Sequence, residues 1–487
     1  MSDPTPPPSR ATCILTGELE TLSPLHIGSG GTRLIDSVKG KGGKNDGPEV
    51  AAIVRDACDA PYLPGTAVKG LLRRMAEARY GVPWADAMFG SIKSEFDGVA
   101  GAVTVLGARR IAPVPSATGL PYVKGGERQL GEGVFVSARA KMDGAGGVAA
   151  DHKLFFQEMV APGTRFELRL KVESRGRIPD GPLREREGHT HDTERACAPR
   201  DARDAVERAV KLLTALLEDL AAPQGWSIGK GQADGFGRVK LRTQGFKRKD
   251  QNLGPSGEWS APAEKPVTLQ AGPRQMPAHA LAMRCPGPFL VIDASNTTQK
   301  GVTEKGAPGI NPQAWGERLP MLLGSSLSGA LRQRARWVAS LLALREKPPR
   351  PGHDPDPPDQ EIASAREIEG LTPLQRLFGI TGFRGRLRIV SLEMDEARTW
   401  DVTSVKLDRF TGGPVDNALF TTRAFVDVGF KAEFTLEDRP KTLSAAARAL
   451  DQALLDALLA DVRAKGLTLG HGGNKGFGHF TSLGSAP

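Results

Sequence analysis

Gly229-Lys230-Gly231-Gln232-Ala233-Asp234-Gly235-Phe236-Gly237 and Gly470-His471-Gly472-Gly473-Asn474-Lys475-Gly476-Phe477-Gly478 are one loop written twice. In both, the first two glycines are two residues apart, the outermost pair is eight apart, and a Phe stands between the last two. Upstream of each loop a second constellation recurs. It reads Pro64-Gly65-Thr66-Ala67-Val68-Lys69-Gly70-Leu71-Leu72-Arg73 in the first half and Leu323-Gly324-Ser325-Ser326-Leu327-Ser328-Gly329-Ala330-Leu331-Arg332 in the second. Two constellations repeated in one order imply two copies of one domain in the 487-residue chain. Residues 246–275 mix Pro, Gly, Lys, Gln and Ser with little periodicity, the composition of a linker. The expected division is therefore 1–245 for the first domain, 246–275 for the linker and 276–487 for the second domain.

Working outward from the first copy, residues 12–27 read as a strand and 29–48 as a glycine-rich loop. Thr66 is placed to cap a helix running through 80, since a hydroxyl there can accept an orphan backbone N–H. Val68, Leu71, Leu72 and Met75 then share one helical face, with Lys69, Arg73 and Arg74 off it. Two short strands are expected near 102–112. A long hairpin is expected over 134–172, with Val134-Phe135-Val136-Ser137 on one side and Phe166 to Val172 on the other. A helix over 201–221 carries Val206, Val210, Leu213, Leu217 and Leu220 at helical spacing. The second copy repeats this order. It has a strand at 279–293 and a helix capped at Ser325 or Ser326 that buries Leu327, Leu331 and Val338. A proline-rich insertion follows at 346–360, then strands at 385–394 and 425–436. A helix at 443–464 presents Leu450, Leu454, Leu458 and Val462. The fold class is α+β, with each half ordered β-α-β-β-α-β, the ferredoxin-like or RRM-like order.

The net charge of +9 and pI of about 9.4 point to a polyanionic partner, RNA or DNA before others. The four cysteines, Cys13, Cys58, Cys197 and Cys285, form no CxxC pair, which argues against a zinc ribbon or a disulfide framework. His189 and His191 near Cys197 lack a fourth ligand. The first residues show no basic-then-apolar leader, and no apolar run reaches the length of a membrane span. The expected location is the cytoplasm, with no membrane partner. The glycine loops precede a strand rather than opening a helix, the reverse of the dinucleotide fingerprint. Close backbone approach to phosphate, helped by Lys230, Arg238 and Lys475, is the ligand role that remains. Turn and packing glycines are the plainer alternative.

The hairpin tips also match. Val405-Lys406-Leu407-Asp408-Arg409-Phe410-Thr411-Gly412-Gly413 stands in the second half, and Arg139, Lys141 and Gly146-Gly147 mark the first. Basic and apolar residues on a protruding hairpin suit insertion into a nucleic acid strand. With aromatics at 6%, the chain is poorly equipped to stack many bases.

The Gly-Thr/Ser-x-x-x-Gly-x-x-Arg segment, the Asp-Arg-Phe-Thr-Gly-Gly hairpin and the terminal glycine loop together resemble the RAMP superfamily of CRISPR-associated proteins. The likeness is to the backbone subunits of type III effector complexes, fused in tandem. It implies two ferredoxin-like domains, each with a thumb hairpin, at about 137–160 and 403–425. It implies a crRNA guide, a complementary target RNA and other effector subunits as partners, and endoribonuclease activity that needs Mg²⁺ or another divalent metal. By the same resemblance Gly65, Thr66, Lys69 and Arg73, with Ser325 and Arg332, lie along the guide, and Arg139, Lys141, Lys406, Arg409 and Phe410 belong to the thumbs. The cutting aspartate of such proteins lies between the His26-Ile27-Gly28 and Pro61-Tyr62-Leu63-Pro64-Gly65 segments. Asp36 is the first choice there and Asp46 the second, with Asp56 and Asp59 in the same window. The second half has only Asp293 at the start of its window. Asp36 and Asp293 are thus the expected catalytic and metal-binding residues, with a second half that does not cut as the alternative to a role for Asp293. The alternatives are a guide-binding scaffold that does not cut, and a guide-maturation endoribonuclease of the same fold.

Overall fold

The computed structural model describes residues 11–34, 49–92, 98–111, 133–142, 149–173, 202–253, 257–273, 279–292, 309–315, 318–342, 365–380, 382–438 and 443–483. The first half contains β1 (Ala11–Thr21), β2 (Gly28–Leu34), β3 (Glu49–Ile53), α1 (Gly65–Arg79), α2 (Val82–Phe89) and β4 (Val103–Ile111). It continues with β5 (Val134–Met142), β6 (Ala149–Val160), β7 (Arg165–Glu173), α3 (Ala202–Leu220), β8 (Trp226–Ser227), β9 (Arg238–Leu241), β10 (Lys247–Asn252) and β11 (Ala263–Pro266). The second half contains β12 (His279–Phe289), α4 (Gly324–Leu341), α5 (Pro373–Phe378), β13 (Leu387–Met394), β14 (Arg398–Leu407), β15 (Pro414–Leu436), α6 (Ala445–Lys465), β16 (Leu467–Thr468) and β17 (His479–Ser482).

The two main sheets have the same plan. In the first, the strands run β8-β9-β1-β7-β4, and in the second, β16-β17-β12-β15-β13. Each half therefore places its last long strand beside its first and its second at the far edge, with antiparallel pairing throughout. β1 shows why. Ala11, Cys13, Leu15, Leu19 and Thr21 alternate inward, so one face is buried and the register is fixed. Helices cover that face: Leu71, Leu72 and Met75 of α1 and Leu213, Leu217 and Leu220 of α3 join Leu15, Leu19, Phe166 and Leu168 in one core. A second core gathers Leu327 and Leu331 of α4, Leu454, Leu458 and Val462 of α6, and Phe430 and Phe434 of β15.

Several expectations change. The first hairpin is β5 with β6, in register from Val134↔Val160 to Met142↔Ala149, whereas Phe166 to Val172 form a central strand of the main sheet. Alternation alone puts the return strand at Phe166 to Val172; the pairing puts it at 149–160, within the 137–160 span that the resemblance implies. One strand, β4, replaces the two expected near 102–112, kinked by Gly107 at φ 84° where its register to β7 shifts. Residues 246–275 are not merely a tether: β10 pairs along Ala11–Thr16 of β1 and β11 pairs with β10. Phe246 anchors this addition. Its ring lies 2.6 Å from where a Cβ on Gly17 would stand, so a glycine in β1 makes the room. Neither Thr66 nor Ser325 or Ser326 caps its helix; Pro64 and Leu323 hold the N-cap positions without a side-chain bond. On α6, Leu450 is 44% exposed. Asp451 faces inward instead, because Arg376 Nε donates to it at 2.8 Å and Arg386 donates to its other oxygen. The insertion 346–360 lies outside the described residues.

Candidate nucleic-acid interface

The hairpin expected as the first thumb shares one sheet, ordered β2-β3-β6-β5, with the strands on either side of residues 35–48. β3 runs parallel to β6 through Val50↔Phe156 and Ala51↔Gln157. β2 and β3 close as a ribbon with Leu34 opposite Glu49. Residues 35–48, with Asp36 and Asp46, lie outside the described residues, but both ends of that loop are set side by side at the rim of the thumb sheet. A buried carboxylate pins the ribbon. Glu158 of β6 is fully buried; its Oε2 accepts from the Ile53 N–H at 3.0 Å and its Oε1 from Arg55 Nη2 at 3.2 Å. Arg33 approaches the same carboxylate at 3.9 Å. His26 is buried as well, with Nδ1 2.8 Å from the Glu158 carbonyl oxygen, and is held as a structural residue. Asp56 accepts from the Cys58 and Ala60 N–H groups at 2.9 and 3.1 Å, which is turn chemistry. Glu158 and Arg55 were missed from sequence, since charges on a strand read as a solvent face.

Arg139 and Lys141 lie on β5. The hairpin expected as the second thumb is β14 with β15, joined through Asp408–Gly413. Asp408 Oδ1 accepts from the N–H groups of Phe410 and Thr411, both at 2.9 Å. Those N–H groups, Thr411 first, hold the Asp408 carboxyl below the usual carboxylate range. The rigid tip lifts Phe410 to 89% exposure, flanked by exposed Leu407, Lys406 and Arg409. An exposed apolar ring on a tip that also carries two exposed cations is a wedge suited to a stacked nucleic acid.

The helix starts behave alike on one side and differently on the other. Gly70 and Gly329 are exposed, and a Cβ on either would meet nothing within 4 Å. A glycine inside a helix costs about 1 kcal/mol relative to alanine. Both copies carry it where no described residue crowds the position, which points to close approach from outside. Thr66 is exposed beside Gly70, and Lys69 and Ser325 are partly exposed. Arg73, by contrast, links α1 to α2: Nε donates to Glu77 at 3.0 Å, and its other nitrogens donate to Asp86 and the Gly90 carbonyl. Arg332 is partly buried and engaged within the chain.

The glycine loops are hairpin connections, β8 to β9 and β16 to β17, rather than direct helix-to-strand links. Their spacing has an internal cause. A Cβ on Gly237 or Gly478 would lie 1.8 or 1.9 Å from the carbonyl oxygen of Ile228 or Leu469, and both residues have positive φ. Each loop tucks under the end of the first strand of its half, with Gly237 donating to the Pro24 carbonyl and Gly478 to that of Pro288. Positive φ at all four shared positions, with close packing at most of them, accounts for the repeated glycines. Lys230 is exposed, Arg238 donates twice to the Gln224 carbonyl at 3.0 and 2.7 Å, and Lys475 lies 5.7 Å over the Phe420 ring.

The first loop forms the junction between the halves. Gly235 packs on Ile389 of β13, and a Cβ on Gly324 would stand 1.7 Å from the Asp234 carbonyl oxygen. Gln232 Oε1 accepts from Arg74 at 3.2 Å and from Arg384 of the second half at 3.3 Å. Phe135, Met159, Ala161 and Phe236 form a separate apolar cluster with Met321 and Leu323.

Among the described residues no group of three or more His, Cys, Asp or Glu could hold a metal ion. Asp293 lies outside them, as Asp36 does, so the expected metal rests on residues whose surroundings are not described. Among the described residues no helix is long and apolar enough to cross a membrane. The RAMP superfamily model matches residues 18–240 and 316–481, one segment in each half. No curated protein matches the chain.

Proposed function

We propose, from the premise that the chain belongs to the RAMP superfamily, that it is a tandem backbone subunit of a type III CRISPR effector. In this reading it holds a crRNA along two ferredoxin-like domains and cleaves complementary target RNA. The strand order, with the last strand beside the first in both halves, supports the ferredoxin-like assignment. The observation that carries RNA binding is the pair of helix glycines, Gly70 and Gly329, open at the same place in both copies. The two thumbs and the +9 charge agree with it. Base pairing between guide and target would read sequence, while the protein reads backbone and shape. Binding should weaken steeply with salt.

Cleavage would draw on the RNA itself. A thumb that displaces a nucleotide frees its backbone to reach in-line geometry. The 2′-oxygen then bonds to the adjacent phosphorus as the bond from phosphorus to the 5′-oxygen breaks, leaving a 2′,3′-cyclic phosphate and a 5′-hydroxyl. The 2′-hydroxyl proton departs and the leaving oxygen gains one. Asp36, on a loop rooted in the thumb sheet, would accept or orient the departing proton. A divalent ion, when bound, would offset phosphate charge. Asp293 would have the same role in the second half. The buried, hydrogen-bonded His26 gives no support to a histidine-based guide-maturation enzyme.

Sequencing of RNA copurified from the native host tests binding. Short RNAs with a constant repeat-derived 5′ end and variable spacers are expected; bulk ribosomal fragments, even after co-expression with neighbouring effector subunits, would overturn it.

A further inference from the structure

The junction between the halves holds a cavity of about 920 Å³, a size that admits a small organic molecule. α1, the turn into α2 and β8 line it from the first half, and Phe383 to Arg388 with Glu437 line it from the second. Three arginines meet there: Arg74 of α1, and Arg384 and Arg388. Ser227 of β8 ties two of them together across the junction. Its Oγ accepts from Arg388 Nη2 at 2.6 Å, and its carbonyl accepts from Arg74 Nη2 at 3.0 Å. Gln232 Oε1 accepts from both Arg74 and Arg384, at 3.2 and 3.3 Å.

This cluster is short of negative charge. Arg384 and Arg388 share one carboxylate, Glu437, at 2.6 and 3.2 Å. Arg74 and Arg384 converge on an uncharged amide oxygen, a place where an anionic oxygen would be held more strongly. Arg388 Nε is buried with no hydrogen-bond partner among the described residues, a costly state for a donor on a cation. Burial pushes the Arg388 guanidinium pKa down; Glu437 opposes this and Arg384 adds to it. The other acidic groups of the wall are engaged, Glu77 with Arg73 and Asp438 with Arg448. Trp226 and Phe383, both partly exposed, also line the cavity. Trp226 Nε1 already donates to the Asp219 carbonyl at 3.0 Å, so what the indole offers a ligand is ring surface.

We propose that the junction cavity binds a free nucleoside polyphosphate, its phosphates among Arg74, Arg384 and Arg388 and its base against Trp226 and Phe383. Guanidinium groups present planar, paired donors that match phosphate oxygens. The cavity is larger than an inorganic phosphate fills, and its aromatic lining suits a flat base. Both halves contribute to the site, so the bound nucleotide clamps the junction and stabilises the joined state. The inference goes beyond the RNA reading and does not rest on it.

The test is calorimetric titration of the full chain with ADP, and with inorganic pyrophosphate for comparison. A single ADP per chain is expected, with pyrophosphate binding more weakly because it has no base. Arg384→Gln, at an exposed residue, should lower ADP affinity about tenfold. Gln232→Glu sets a carboxylate where the two guanidiniums converge and should abolish binding, while a thermal melt shows the variant folded. Trp226→Ala should weaken ADP and leave pyrophosphate unchanged. No ADP binding by the parent chain would overturn the proposal, as would ADP affinity unchanged in both Arg384→Gln and Gln232→Glu. Pyrophosphate binding as tightly as ADP would overturn the nucleotide assignment. Loss of ADP binding in the guide-loaded chain would also overturn it, since the arginines would then belong to the RNA path. Absence of copurifying guide RNA would count against the functional reading and leave this one standing.

Discussion

The two glycine loops have the same spacing, the same positive-φ glycines and the same tuck beneath a first strand, yet one is covered and the other open. The repeated sequence sets the loop's own backbone, and the neighbour sets its role. Position 234 shows the difference. Asp234 stands in the covered loop, with its carbonyl against Gly324, whereas Lys475 occupies the equivalent place in the exposed loop. A lysine there is compatible with solvent, nucleic acid or a charged partner.

This comparison can be broken most severely at the shared glycines. Gly237→Ala and Gly478→Ala should each destabilise their own half by about 4 kcal/mol, since each adds backbone strain and a clash with a carbonyl. Urea unfolding of the full chain checks this, and similar losses are expected at both sites because the cause lies within each loop. Gly324→Ala should separate the halves at a cost of about 3 kcal/mol. Calorimetry would then resolve two transitions where the parent chain couples them; one unchanged transition would refute the close contact with Asp234. Phe236→Ala should cost about 3 kcal/mol and Phe477→Ala about 1 kcal/mol, because only Phe236 is enclosed by the second half. Equal losses would mean the open loop is covered after all. The smallest effect has the opposite sign. Gly70→Ala and Gly329→Ala should stabilise the protein by about 0.5–1 kcal/mol while weakening guide binding. Filter binding alongside thermal melts separates the two, and unchanged RNA affinity would remove the observation on which RNA binding rests.

Much of the architecture was legible because it is periodic or repeated. Val68, Leu71, Leu72 and Met75, spaced along one helical face, are buried as their spacing predicts. Features that depend on distant partners were not legible. Asp451 is buried only because Arg376 and Arg386 reach it from another part of the chain, so Leu450 looked like the better core residue. The strand 149–160 is defined by its pairing to β5 and β3, which no local pattern displays. Residues 247–252 look like a tether by composition, yet β1 had an unpaired edge for them to join. At the candidate site, the hairpin tip around Phe410 was legible because its segment matches the tip in the first half, and Phe410 is exposed there. The Glu158–Arg55 pair that pins the aspartate loop did not, since a carboxylate on a strand gives no hint of burial. The junction face of Phe135 was equally hidden, because it depends on Met321 and Leu323 reaching it from the other half.

The measurement that bears most directly on the account is cleavage of a complementary target RNA by the guide-loaded protein, with Asp36→Asn and the Asp36→Asn/Asp293→Asn double variant beside the parent. The account predicts cyclic-phosphate products from the parent and a loss of about 10²- to 10⁴-fold in the double variant, with guide content unchanged. Cleavage by the double variant at the parental rate would contradict it and leave the chain as a scaffold for another subunit's chemistry.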